Sequence, residues 1–262
     1  SKAVNGRNSG ARFNENWGCN VNTNIRSPGP KWAGPWIYFA AAFGLTWLIE
    51  IVWALSGISL ETTPGQALLV LATSGPAIAA IGLTYLTQDK MGRRDYWLRI
   101  IAPRRISAVW YLVIFLLVPA LYGLAALLDV LSGGSGATWG KTLRQLTIIP
   151  SLLTIFFTPF LEELGWRGYA LDRLQSRWNA LVSSLILTSL WALWHLPLSF
   201  IKGTYQYGLG VGSLGFWTFI IGFFPVTLLF TWIFNNNDRS TLSAILFHCV
   251  INAVSELFSL TE

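Results

Sequence analysis

The stretch FLEELGWRGYAL (160–171) places two adjacent glutamates and an arginine among apolar residues. Ionisable side chains are costly to hold within a bilayer, so their presence in such a stretch indicates a functional site. On a helix, Glu163 and Arg167 are four residues apart and pair along one face, whereas Glu162 points about 100° away. We therefore predict that Arg167 holds Glu163 ionised and that Glu162 remains available as a general base. The alternative is an interfacial helix end, at which all three side chains reach water.

The only two histidines of the chain also lie in apolar stretches, LWALWHLPLSF and LFHCVINA. His195 follows Trp191 by one helical turn, and Pro197 is expected to end or kink that helix. His248 and Asn252 are four residues apart, so both point to the same side, where N–H donors can stabilise an oxyanion. Each feature taken alone also has an ordinary structural explanation, as a histidine bonded to a backbone carbonyl or as a polar clamp between helices. A carboxylate base, an imidazole and two oxyanion donors together are the parts that peptide hydrolysis requires.

The elements that would position these residues are membrane helices. Charged residues make up 11% of the 262-residue chain, against about 25% in typical soluble proteins. A helix needs about 20 mostly apolar residues to cross a bilayer. The segments that meet this requirement are 36–55, 66–86, 108–131, 146–171, 180–201, 216–234 and 241–260. We therefore predict an all-α, polytopic integral membrane protein with seven spans.

The polar parts of the chain indicate its organisation and sidedness. We expect residues 1–35 to be a disordered cytoplasmic tail, because they are polar. Residues 36–262 are expected to form a single helical membrane domain. Basic residues concentrate in the loop at 89–105, which predicts that this loop and the N-terminus are cytoplasmic and, with seven spans, that the C-terminus is outside. The net charge of +6 is explained in the same way, and we expect no nucleic-acid partner.

Three ordered motifs resemble those of the CPBP family of intramembrane proteases, also called the Abi family, which includes the CAAX-processing endopeptidases. They are EELGWR at 162–167, WALWH at 191–195 and HCVIN at 248–252, within a region of resemblance at 158–255. The family's second motif usually carries phenylalanine where this chain has Trp191. The resemblance implies a core of eight helices, one more than the apolar segments indicate.

The same resemblance implies roles for the site residues. Glu162 would activate a water molecule, and His195 would share that water. Glu163 and Arg167 would position Glu162 and tune its charge.

His248 and Asn252 would stabilise the oxyanion of the tetrahedral intermediate. The family has been described both as metal-independent and as zinc-dependent, and we favour hydrolysis without a metal because the usual HExxH zinc motif is absent from the sequence. If zinc is required, its expected ligands are Glu162, His195 and His248.

The expected substrate is a peptide or the C-terminus of a prenylated protein, and the expected surroundings are the lipid bilayer. Two alternatives from other classes stay open. The chain could be a proton-coupled transporter, in which the buried ionisable residues form a proton path. It could also be a non-catalytic membrane scaffold or immunity protein that keeps the family fold.

Overall fold

The computed structural model describes residues 34–139 and 149–260, and these residues fold mainly as helices. The helices are α1 (Pro35–Ser56), α2 (Thr63–Thr87), α3 (Lys90–Ile101), α4 (Ala108–Leu131), α5 (Ile149–Leu152), α6 (Thr158–Gly165), α7 (Leu171–Gln175), α8 (Ala180–Trp194), α9 (Tyr205–Leu209), α10 (Leu214–Asn236) and α11 (Thr241–Leu257). The predicted tail, residues 1–35, lies almost entirely outside the described residues. Its disorder and its cytoplasmic location stay predictions.

Five helical segments are long and apolar enough to cross a membrane, namely α1, α2, α4, α10 and the segment Ala180–Phe200 that contains α8. Large apolar side chains such as Leu55, Leu86 and Leu131 are exposed on the outer faces of these helices, as expected of a surface that contacts lipid. The prediction of an all-α polytopic membrane protein is thereby confirmed. Among the described residues, α11 is also apolar but shorter, at 17 residues.

The structure differs from the prediction in the seventh and in the fourth predicted spans. The seventh predicted span, 241–260, is helical only as far as Leu257, and Phe258–Leu260 form the short strand β2. This strand pairs antiparallel with β1 (Ala137–Trp139), with Thr138 opposite Ser259. The backbone of β2 therefore bonds to a neighbouring strand, an alternative to helical continuation that apolar periodicity does not reveal.

The fourth predicted span, 146–171, is an interrupted helix in the structure. Two π-helical segments, Leu153–Phe157 and Trp166–Ala170, separate α5, α6 and α7. Proline at position 159, in the first turn of α6, lacks the N–H that a helix interior needs, which accounts for an interruption just before it. Wider π-helical turns occur frequently at functional sites.

Close helix contacts place α6 at the centre of the domain. A Cβ atom at Gly165 would lie 2.2 Å from the hydroxyl of Tyr38 and 2.8 Å from the carbonyl oxygen of Pro76. On α2, a Cβ atom at Gly75 would lie 2.3 Å from the Oγ1 atom of Thr46. Glycines at such points let helix backbones approach closely, which is the usual basis of helix association in membranes. Helices α1, α2 and α6 therefore form one tightly packed group.

The basic segment between the second and third spans is a helix, α3, where the sequence analysis treated it as a loop. Arg99 of α3 is buried and forms ion pairs with Asp172 and, at 3.3 Å, with Asp95. Its Nη2 atom also donates to the carbonyl of Gly168 at 2.9 Å. Asp172 accepts further hydrogen bonds from Arg239. Arg99 thus attaches α3 to α7 and to the π-helical segment before it, and Asp172 in turn attaches α7 to the loop after α10.

Ion pairs with two arginines compensate for the burial of the Asp172 carboxylate. Burial alone would raise the pKa of Asp172, but the guanidinium groups of Arg99 and Arg239 outweigh this effect and lower the pKa below its ordinary value. The carboxylate therefore stabilises the fold in its ionised form.

We expect Asp172→Asn to lower the free energy of unfolding by about 3–5 kcal/mol, because it leaves the buried guanidinium of Arg99 and the partly exposed guanidinium of Arg239 without their shared partner. The difference from the wild type should begin to shrink as the pH falls below about 4, because the carboxyl of the unfolded chain takes up a proton there, and it should be lost once the pH falls through the lowered pKa of the native carboxyl. Both are measured by unfolding of the purified protein in detergent. Asp95→Asn is the control, because Asp95 pairs with Arg105 while 47% of its side chain is exposed; it should cost about 1 kcal/mol or less. Equal losses in the two variants would contradict the account.

Candidate active site

The two adjacent glutamates of α6 are both buried and point to different partners, as their spacing predicts. Glu163 accepts hydrogen bonds from Nη1 of Arg167 at 2.8 Å to Oε1 and 3.0 Å to Oε2. Its Oε1 atom also lies 2.9 Å from Nδ1 of His248 on α11. Both Glu163 and Arg167 are 0% exposed. The predicted pairing within one helix is confirmed, and it holds a carboxylate inside the protein.

Aromatic rings complete the surroundings of Arg167. Its guanidinium carbon lies 3.8 Å from the ring centroid of Phe230 and 4.7 Å from that of Trp191. These are distances at which a cation is attracted by the ring quadrupole. The Nε and Nη2 atoms of Arg167 have no hydrogen-bond partner among the described residues. The rings therefore provide stabilisation where hydrogen bonds do not.

Glu162 has a different environment. Its Oε2 atom accepts a hydrogen bond of 2.8 Å from the indole Nε1 of Trp191 on α8. No residue in the described part of the chain donates a hydrogen bond to its Oε1 atom. Glu162 is 5% exposed, so this carboxylate is held at one oxygen and left open at the other.

His195 lies at the end of α8, where the chain turns into a short 3₁₀ helix that begins next to Pro197. The proline was predicted to end the helix here, and it does. The Nδ1 atom lies 2.8 Å from the carbonyl oxygen of Trp191. Because a carbonyl oxygen only accepts, Nδ1 carries the proton and Nε2 is left as an acceptor. The ring packs 4.9 Å from that of Phe223 and 5.9 Å from that of Trp191, and the charge of Glu162 acts on it.

His248 and Asn252 lie on one side of α11, as predicted, but both already have protein partners. His248 is hydrogen-bonded to Glu163, and the Nδ2 atom of Asn252 donates to the carbonyl oxygen of Thr154 at 2.8 Å. Thr154 belongs to the first π-helical segment. The pair therefore joins α11 to the interrupted helix and leaves one amide hydrogen of Asn252 for another acceptor.

The zinc alternative can be compared with these positions. No three histidine, cysteine, aspartate or glutamate side chains in 34–139 and 149–260 converge closely enough to hold a metal ion. Each of the three expected ligands bonds to the protein through one polar atom only, Glu162 through Oε2, His195 through Nδ1 and His248 through Nδ1, so these bonds do not decide against zinc. Because the side chains do not converge, the described arrangement does not fit a zinc site, and we derive no step through a metal.

One carboxyl of the site was missed by the sequence analysis. Glu50 of α1 is 2% exposed, and its Oε2 atom has no hydrogen-bond partner in the described part of the chain. It lies near enough to Glu162 for the two carboxyl groups to repel each other when both are ionised. A glutamate in the middle of an apolar span is itself a signal of a functional site, so the sequence contained the means to find it.

Helix α1 brings this carboxyl towards the site by contacts on both sides of it. Trp47 donates from Nε1 to the carbonyl oxygen of Trp194 at 3.2 Å, and Trp53 packs against Leu198 and Ile201. Both contacts lie on the chain that surrounds His195, so Glu50 is held between them on the same face of α1.

The fold and the site define a polytopic membrane protein with buried carboxylate and imidazole groups at its centre. Residues 144–254 match the family described as Type II CAAX prenyl endopeptidase Rce1-like. CAAX prenyl protease 2 of Methanococcus maripaludis is 31% identical over 234 residues, which are 87% of this chain and 86% of that protein. The chain therefore belongs to the CPBP family of intramembrane proteases, and the predicted resemblance is confirmed.

We expect Glu50→Leu to raise the thermal midpoint of unfolding, because it removes a buried carboxyl oxygen without a hydrogen-bond partner, which costs about 1–3 kcal/mol. The measurement is thermal unfolding in detergent. Thr46→Val is the matched control, because Thr46 lies one turn earlier on α1, is 0% exposed and donates a 2.8 Å hydrogen bond to the carbonyl oxygen of Ala72. The control should lower the midpoint. A fall of similar size in both variants would show that Glu50 has a partner of its own.

Proposed function

We propose that this intramembrane endopeptidase hydrolyses a peptide bond near the cytoplasmic side of the membrane and that Glu162 activates the attacking water. One observation carries the proposal: two acceptor atoms of the site, Oε1 of Glu162 and Nε2 of His195, are without a hydrogen bond from the described residues. We propose that a water molecule lies between them and donates one hydrogen to each atom, since Glu162 is near enough to act electrostatically on His195. Its oxygen lone pair would then face outward, towards a substrate carbonyl.

The proton transfers balance with Glu162 alone. Glu162 takes one proton from the water as the oxygen bonds to the scissile carbonyl carbon, which forms the tetrahedral intermediate. The carboxyl then returns this proton to the leaving amide nitrogen as the carbon–nitrogen bond breaks. The other hydrogen of the water stays on the first product as a carboxylic acid, and the second product is an amine, so the glutamate ends in its starting state. The acid then gives its proton to the amine, which leaves a carboxylate and an ammonium group.

The oxyanion of the intermediate needs hydrogen-bond donors that bind it more strongly than they bind the carbonyl oxygen of the intact substrate. The remaining amide hydrogen of Asn252 is one candidate donor. His248 supplies a second only as an imidazolium, because its Nδ1 proton is directed at Glu163.

We propose that this chemistry requires no metal ion. The water is activated by the carboxylate of Glu162, and the oxyanion is stabilised by N–H groups, so each charge that develops has a protein partner. The competing proposal, zinc held by Glu162, His195 and His248, predicts sensitivity to chelators.

The proposed substrate is the C-terminus of a prenylated protein. The relative from Methanococcus maripaludis is named as a CAAX prenyl protease, and the chain offers apolar outer helix faces that suit a lipid bilayer. A prenyl group would partition into that bilayer and bring the attached peptide to the depth of the site. This requires the catalytic groups to be reachable from the membrane.

We expect Glu162→Gln and His195→Ala each to lower the turnover number at least about 100-fold, because general-base catalysis contributes 10²–10⁴-fold. The measurement is cleavage of a farnesylated CAAX peptide by the protein reconstituted in lipid vesicles. Glu61→Gln is the control, because Glu61 is an exposed glutamate outside the spans and should keep full activity.

Full activity in Glu162→Gln would overturn the mechanism. Activity lost to a chelator and restored by zinc would overturn the metal-independent form of it. No cleavage by the wild-type protein, with a pH-driven proton flux instead, would favour the transporter alternative; neither cleavage nor flux would favour the non-catalytic scaffold.

A further inference from the structure

Trp191 contacts four of the charged or titratable groups of the site. Its indole N–H donates to Glu162, and its backbone carbonyl accepts from His195. Its ring lies 4.7 Å from the guanidinium carbon of Arg167 and 5.5 Å, edge to face, from the ring of His248. It is 3% exposed. The family usually has phenylalanine at this position, and phenylalanine has no donor for the first of these contacts.

We propose that Trp191 is a positioning residue for the hydrolysis, acting through a hydrogen bond that fixes the carboxylate of Glu162. The terminal torsion of a glutamate side chain is broad, so the carboxylate plane is free to turn unless something holds it. The 2.8 Å bond from Nε1 to Oε2 holds it. Oε1 is thereby assigned as the atom that takes the proton from water, an inference that rests on the proposed function of Glu162.

The same residue also sets the second acceptor for the water. The Trp191 carbonyl oxygen accepts a hydrogen bond from Nδ1 of His195. This bond keeps the ring proton on Nδ1 and leaves Nε2 without one. Both acceptor atoms, one on α6 and one at the end of α8, are therefore oriented by a single residue of α8. A rigid indole is suited to this task, because it has only two side-chain torsions to restrain.

A purely structural role for Trp191 must be separated from this one. Its ring packs edge-to-face against Phe223 at 4.8 Å and Phe230 at 5.7 Å, so substitution by a smaller side chain also disturbs packing. The decisive variant removes only the N–H donor and keeps the shape of the ring system.

The experiment replaces Trp191 site-specifically by β-(3-benzothienyl)alanine, in which sulfur stands in place of the indole N–H. We expect the turnover number to fall about 10- to 100-fold, as for loss of a hydrogen bond to a charged group. KM should change less than about 2-fold, because the substrate does not contact this bond. The thermal midpoint should match that of the wild type. Trp191→Phe should show the same fall in turnover number, and it serves if the first variant folds poorly.

The matched control is the same replacement at Trp194. This tryptophan lies on the same helix and is 2% exposed, but its Nε1 atom has no hydrogen-bond partner among the described residues. The control should keep the wild-type turnover number.

A wild-type turnover number in the position 191 variant, or an equal loss in both variants, would overturn the inference. So would a rise in KM without a change in turnover number. If Glu162→Gln is inactive in the same assay, the proposed function stands even when the role of Trp191 fails. Activity in Glu162→Gln would instead remove the proposed function and the inference together.

Discussion

The fully buried ion pair between Glu163 and Arg167 is the interaction on which the rest of the site depends. A carboxylate and a guanidinium inside apolar helices are tolerated only when each has a close partner, and removal of one leaves an uncompensated charge that costs several kcal/mol. The structure meets this constraint with two hydrogen bonds along one helix face, a third from His248, and two aromatic rings over the cation. These contacts join α6, α8, α10 and α11 around one charge pair.

This arrangement separates the functions of two adjacent glutamates. Because Glu163 already has Arg167 and His248, Glu162 turns towards α8 and shares no cation directly. Its surroundings are an indole N–H, the imidazole of His195 and the second carboxyl of Glu50. Glu163 thus has a structural role, whereas the neighbouring Glu162 is available for catalysis. Their different hydrogen-bond partners account for this difference.

The sequence predicts the parts of this site that depend on local geometry. The pairing of Glu163 with Arg167 follows from a four-residue spacing, and the helix end at His195 follows from the proline two residues later. The bond between Trp191 and Glu162 joins residues 29 positions apart, and its formation depends on how α6 and α8 pack. The chain's three motifs show that these residues act together, but their spacing along the chain does not reveal which atom bonds to which.

Other features of the fold could not be predicted from the sequence, because they too depend on contacts between distant parts of the chain. The basic segment that contains Arg99 reads as a loop because of its charges, whereas its helix is stabilised by the ion pair with the distant Asp172 and by the buried side chains of Tyr96 and Ile100. The π-helical turns around α6 satisfy tertiary contacts that no periodicity encodes. Glu50 is the exception: its position in an apolar span was visible, and only its proximity to Glu162 required the structure.

The most direct test of the separation between the two glutamates compares Glu162→Gln with Glu163→Gln in both stability and turnover. The account predicts that Glu163→Gln lowers the free energy of unfolding by about 3–5 kcal/mol, because Arg167 loses its buried counter-charge. Glu162→Gln should unfold like the wild type and yet fail to cleave. Two results would contradict the account: Glu162→Gln destabilised as strongly as Glu163→Gln, or Glu163→Gln as stable as the wild type.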